Sequence, residues 1–245
     1  MRTQQVVIGG LLLLAVVFAG LLHLIGLDAA TPAAARSTHG IARMATGLVV
    51  IWVLLGGALM VLARHRIRRM VRAIPLDERL KFTIFAILLA CLEEVVTVSM
   101  TNLAPLFGAA VGEAFITASA NYFDVILFHS VVVFIPYFIV LALILHQWAF
   151  SPFVVFLSFG VVGTACEAIF AGNPGVFVTF PIWAFVYGLM VWLPAFCMDN
   201  RTARPVGSAA SLLLAPAVFL LALPMIAAIA WVITVVLDHP GMHFG

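Results

Sequence analysis

Two adjacent glutamates, Glu93 and Glu94, lie near the centre of an apolar run from Leu80 to Pro105. A charge at mid-bilayer costs about 2.5–3.5 kcal/mol on insertion scales, so at least one of the pair must be protonated, paired or bound to a cation. Thr97 and Thr101 follow Glu94 at i+3 and i+7 and extend the polar stripe along one helix face, toward protein rather than lipid. Carboxylates so placed suit three kinds of chemistry. One can take a proton from water as a general base. A set of them can relay protons or cations, or join imidazole in ligating a divalent metal.

Depth gathers further candidates. At a rise of about 1.5 Å per residue, Glu93 lies about 20 Å from the basic end of its run, and Glu167 about 22 Å along its own. His129 enters from the opposite side and lies about 10 Å below that boundary, so in a core of about 30 Å all three share one level. His23 falls near the same level, and Asp124 and Asn121 lie one or two turns shallower than His129. The expected site is therefore Glu93, Glu94, His129 and Glu167. In a hydrolase one carboxylate would activate water, and His129 would hold that water or stabilise the oxyanion. The same four side chains would also suit a divalent metal, although the Glu-x-x-His spacing of bundle metal sites is absent. No cofactor is named by the sequence.

The elements that must position these groups are apolar runs of about 20 residues or more, each long enough to cross a bilayer. They are Val6–Leu27, Ile41–Leu62, Leu80–Pro105, Tyr122–Leu145, Pro152–Ala171, Val176–Cys197 and Ser211–Leu237. The expected fold is all-α, a polytopic bundle of seven transmembrane helices forming a single domain over residues 1–245. A polar connection, residues 107–121, is expected to form a short interfacial helix. Pro216 and Pro224 mark expected kink positions, since an internal proline removes a helix hydrogen bond. Gly160, Gly163 and Thr164 share the face of Glu167 and allow a neighbouring helix to come close. Thr179, Trp183 and Tyr187 form a stripe at i, i+4 and i+8, which reads as packing. Trp148, Trp192 and Trp231 read as interface anchors or packing residues.

Composition agrees with this. The chain of 245 residues is 65% hydrophobic and 9% charged, with mean hydropathy +1.23, whereas soluble domains carry about 25% charged residues. Arg64, Arg66, Arg68, Arg69, Arg72, Arg79 and Lys81 crowd one connection, Arg201 and Arg204 another, and Arg2 opens the chain. The positive-inside rule makes all three cytoplasmic, with the N-terminus inside, the C-terminus outside and the protein multi-pass in the inner (plasma) membrane. The Arg64–Lys81 connection then meets anionic lipid headgroups, and nucleic acid is not an expected partner. Lys81 is the sole lysine, so a retinal Schiff base in the last helix is excluded. Cys91, Cys166 and Cys197 lack CxxC spacing and read as free buried thiols. His65, His146, His239 and His243 lie at boundaries or in the tail and read as solvated. His23 and His39 do not form the facing pair that a bis-histidine haem needs.

The Glu93-Glu94 pair in one span and His129 on the next resemble the CAAX-prenyl-protease and bacteriocin-processing family of intramembrane proteases, over the third to fifth spans. That family carries EExxxR, then FxxxH, then a third motif with histidine and asparagine. This chain departs at three places. Val98 stands at the arginine position, Val125 at the phenylalanine position, and no later membrane histidine follows, so only Glu167 supplies a third polar group. The resemblance implies an intramembrane endopeptidase acting on a membrane-embedded substrate. A rhomboid-type serine site is not supported, because GxSxG is absent. A proton- or cation-coupled transporter or channel, and a non-catalytic membrane subunit, remain open alternatives.

Overall fold

Caps, prolines and glycines stop several of the apolar helices in this chain, and the breaks define the architecture. The computed structural model describes residues 2–25, 31–170, 172–198, 203–242 and 244. Leu27, Ala171, Arg201 and His243 lie outside the described residues. Eight principal helices follow: α1 Arg2–Ile25, α2 Pro32–Ala73, α3 Glu78–Asn102, α4 Tyr122–His129, α5 Val131–Gln147, α6 Pro152–Phe170, α7 Phe180–Cys197 and α8 Leu214–Trp231. Among the described residues, six helices are long and apolar enough to cross a membrane, or seven if the bent pair α4–α5 is one span. The protein is thus an all-α, multi-pass membrane protein.

Three departures from the sequence reading have physical causes. First, α2 begins at Pro32 rather than near Ile41. Thr31 caps it, its hydroxyl accepting from the Ala34 N–H at 3.2 Å, with proline in the first turn. Second, α2 does not stop at Leu62. Arginine is a good helix former, and the helix runs on until Ile74, extended ahead of Pro75, ends it. The 42-residue helix therefore carries Arg64 to Arg72 on its last turns, and only a short turn joins it to α3. Lys81 likewise sits in the first turn of α3, buried and ion-paired with Glu78. Third, no interfacial α-helix forms after α3. A 3-10 turn, Ala104–Phe107, gives way to Gly108 (φ 89°) and Gly112 (φ 86°), left-handed positions that break a helix. The segment is instead tied down by side chains. The Asn102 amide donates to Ala120 O at 2.9 Å, Ser37 Oγ to Glu113 O at 2.8 Å and Arg43 to Phe107 O at 2.9 Å.

The centre of the bundle is α7, apolar all round and buried along most of its length. It packs on α1, α2, α3 and α6. Trp52 reaches it from α2, the indole N–H donating to Val186 O at 3.0 Å. The closest helix pair is α6–α7. A Cβ built at Gly160 would stand 2.8 Å from Ala184 Cα, and one at Gly163 would enter the Tyr187 ring. The expected close approach on the face of Glu167 is therefore real, and the neighbour is α7. Opposite, α5 packs between α3 and α8. Two-residue parallel strands, Trp148–Ala149 and Arg204–Pro205, join the α5–α6 and α7–α8 connections. Pro216 falls in the first turn of α8, where a missing N–H costs nothing, and Pro224 is internal.

Three stretches widen from the α to the π hydrogen-bond pattern: Val49–Gly56 within α2, Val125–His129 in α4, and Val232–Val236 extending α8. The Ser130 N–H bonds to Val125 O at 3.0 Å, and the Leu237 N–H to Val232 O at 2.9 Å, both five residues back. The chain also bends by 49° between α4 and α5. Such turns insert an extra residue and re-aim the side chains around it.

Candidate functional site

A cavity of about 820 Å³ opens among α1 to α8 and the 115–118 segment, and Glu93, Glu94, His129 and Glu167 all line it. That volume is within the range of about 300–1,000 Å³ usual for small-molecule sites. The walls are otherwise mostly apolar. Phe134 on α5, Phe159 on α6 and Tyr187 on α7 pack edge to face along one side, with ring centroids 5.5–5.8 Å apart. Packed rings of this kind resist collapse of the space.

The carboxylates reach the cavity from two helices. Glu93 and Glu94 come from the middle of α3, 3% and 7% exposed, and Glu167 comes from the last turns of α6. Glu94 accepts a hydrogen bond from Thr97 Oγ1 at 2.9 Å, one turn on. Glu167 accepts from the Tyr187 hydroxyl of α7. Glu93 receives no side-chain hydrogen bond from the described residues, and it lines the cavity. The three acids are close enough to act on one another electrostatically.

His129 belongs to a second group. Its Nε2 lies 3.3 Å from Asp124 Oδ2, and His239 Nε2 lies 2.8 Å from Asp124 Oδ1. The two imidazoles meet edge to face at 5.0 Å, and Phe128 stacks on His239 at 4.5 Å. Positions five apart on a regular helix point about 140° away from each other. The π-turn at Val125–His129 brings Asp124 and His129 onto one side. The second π-turn, with the Asp238 residue at φ 49°, delivers His239 from the end of α8.

The four residues singled out by depth thus line one cavity, while Glu94, Glu167 and His129 have different side-chain partners. His23 is not among them. Its Nε2 pairs with Thr46 Oγ1 at 2.9 Å and fastens α1 to α2. Asn121 caps α4, its side-chain oxygen accepting from the Phe123 N–H at 3.0 Å. Asp124, read as shallower than His129, is its direct neighbour because α4 is not a regular helix. His239, read as solvated, is the residue that sequence reasoning missed. Its only signal was a histidine just past the end of an apolar run. The Thr179–Trp183–Tyr187 stripe lines the cavity, with the Trp183 N–H donating to Thr179 Oγ1 at 3.0 Å, so it is a wall as well as packing. Cys91, Cys166 and Cys197 are free thiols.

Fold and site together define a multi-pass, all-α membrane protein with a mostly apolar cavity that carries three carboxylates, and an Asp–His–His group beside it. Compared with known proteins, the chain matches no family model, no curated protein and no solved structure.

Proposed function

We propose that the protein is an intramembrane hydrolase, an endopeptidase whose membrane-embedded substrate enters the cavity. The observation that carries this reading is the convergence of Glu93, Glu94, His129 and Glu167, from three helices, on one mostly apolar space. Glu93 takes the proton from water, since it lines the cavity free of the side-chain hydrogen bonds that hold the other two acids. Glu94 and Glu167 are fixed by Thr97 and Tyr187. His129, oriented by Asp124, holds the water or stabilises the oxyanion. The resemblance to the glutamate-type intramembrane proteases rests on the same residues. In this reading the chain sits in the inner (plasma) membrane with the turn between α2 and α3 cytoplasmic. The exposed Arg66 and Arg69 then meet anionic headgroups.

The test uses membranes containing the wild-type chain or Glu93→Gln, incubated in water labelled with heavy oxygen. A hydrolase leaves membrane-protein fragments with the label in their new C-terminal carboxylates. These should be present with the wild type and absent with a folded Glu93→Gln protein. Equal labelling in both would overturn the reading.

A second reading, a proton- or cation-coupled transporter, is favoured by one observation: the span is broken by 49° beside Ser130. Transporter sites are often built at such broken helices. Proton uptake into proteoliposomes that depends on Glu94, without labelled fragments, would select it.

A further inference from the structure

We infer that Asp124, His129 and His239 form a binding site for a divalent cation of the zinc class. One ligand atom from each lies within 4.8 Å of the others. Neighbouring ligands around a tetrahedral metal at about 2.0–2.1 Å stand about 3.3 Å apart; His129 Nε2 lies 3.3 Å from one Asp124 oxygen, Oδ2, and His239 Nε2 lies 2.8 Å from the other, Oδ1. The group is enclosed, with side chains 10%, 10% and 15% exposed.

The protonation of His239 adds a separate argument. Its Nδ1 stands 3.0 Å from Pro240 O, and a carbonyl only accepts, so Nδ1 carries the proton. In the neutral ring Nε2 is then a lone pair, aimed at the Asp124 carboxylate 2.8 Å away. Two acceptors at that distance need a cation between them, either a proton or a metal. An imidazole whose far nitrogen donates to a backbone carbonyl is also the usual arrangement of a metal-ligating histidine. The donor set decides the class of cation: two imidazoles and one carboxylate suit zinc-like ions rather than calcium or magnesium, which take oxygen. Three protein ligands leave a fourth position open, as in catalytic zinc sites. Because His129 also lines the cavity, the cation lies at the cavity edge. It also joins the end of α8 to α4. This inference concerns binding and holds whether the cavity hydrolyses or transports.

The experiment uses the full chain, purified with a histidine-free tag, stripped by chelator and titrated with Zn²⁺ in a calorimeter. The wild type should bind one Zn²⁺ per chain. His129→Ala and His239→Ala should each weaken that binding by about tenfold or more, while His65→Ala and His146→Ala leave it unchanged. A positive readout guards against misfolded variants: His239→Cys keeps a ligand, so with Co²⁺ as the probe it should add a thiolate-to-cobalt charge-transfer band that the wild type lacks. Wild type that takes up no Zn²⁺ at micromolar concentration would overturn the inference and leave a proton in the gap. So would equal binding by the His129→Ala/His239→Ala double variant, or a cysteine variant without the band. Wild-type chain that binds Zn²⁺ but leaves no labelled fragments would sink the proposed function alone.

Discussion

Removing the Tyr187 hydroxyl asks whether the carboxylates of the cavity are held in separate pairs or in one network. Tyr187→Phe deletes a single oxygen from a ring fixed by Phe134 at 5.8 Å, by Phe159 at 5.6 Å and by the gap at Gly163. The ring should stay in place and only the bond to Glu167 should go. A hydrogen bond contributes about 0.5–1.5 kcal/mol between neutral groups and about 1.5–3 kcal/mol to a charged one, so the expected loss is about 1–3 kcal/mol. Glu167→Gln in the phenylalanine background should then cost less than in the wild type, with a coupling of about 1–2 kcal/mol. Glu94 and His129 share the cavity but have different partners. Their substitutions to glutamine should add to within about 0.3–0.5 kcal/mol. The measurement is reversible unfolding in mixed micelles of rising dodecyl sulfate fraction, followed by helical circular dichroism. Additivity at Tyr187 and Glu167, together with strong coupling between Glu94 and His129, would refute the paired arrangement and establish one shared network.

Two other outcomes follow from the packing and the spans. Gly160→Ala places a methyl against the backbone of Ala184, which cannot rotate away, and should destabilise by about 1–3 kcal/mol in the same assay; Gly9→Ala, with nothing within 4 Å of the new Cβ, is the control. Reporters placed after Leu76 and after Gly241 should report the cytoplasm and the exterior respectively, and both on one side would sink the seven-span topology.

How much of this was legible beforehand depended on the kind of signal. The spans were legible because about 20 apolar residues have few alternatives to a membrane helix. The start of α2 was written in Thr31-Pro32, a cap followed by a first-turn proline, but polar residues between it and Ile41 hid it from a hydropathy reading. Its far end was hidden for the opposite reason. Arginines mark a cytoplasmic side without breaking a helix, and the stop comes only at Pro75. The 107–121 connection misled because its small residues tolerate a helix. Gly108 and Gly112 instead take left-handed angles, and hydrogen bonds to Ser37, Arg43 and Asn102 hold the segment.

At the site, depth grouped four residues that line one cavity, while azimuth was not legible. Residue counting fixes how far a side chain lies along the membrane normal, and it gathered Glu93, Glu94, His129 and Glu167 on one cavity. It cannot fix the direction in which each points when the helix departs from 3.6 residues per turn. The π-turn in α4 turned His129 toward Asp124, and the one after α8 brought in His239 from the far end of the chain. The carboxylate wall and the imidazole group therefore have separate partners and separate origins in sequence, and His129 is the side chain common to both. A change at Glu167 should be felt through Tyr187 and a change at His239 through Asp124, but only a change at His129 alters the cavity wall and the Asp–His–His group at once. That residue touches both groups, and its substitution is the most informative single perturbation of the molecule.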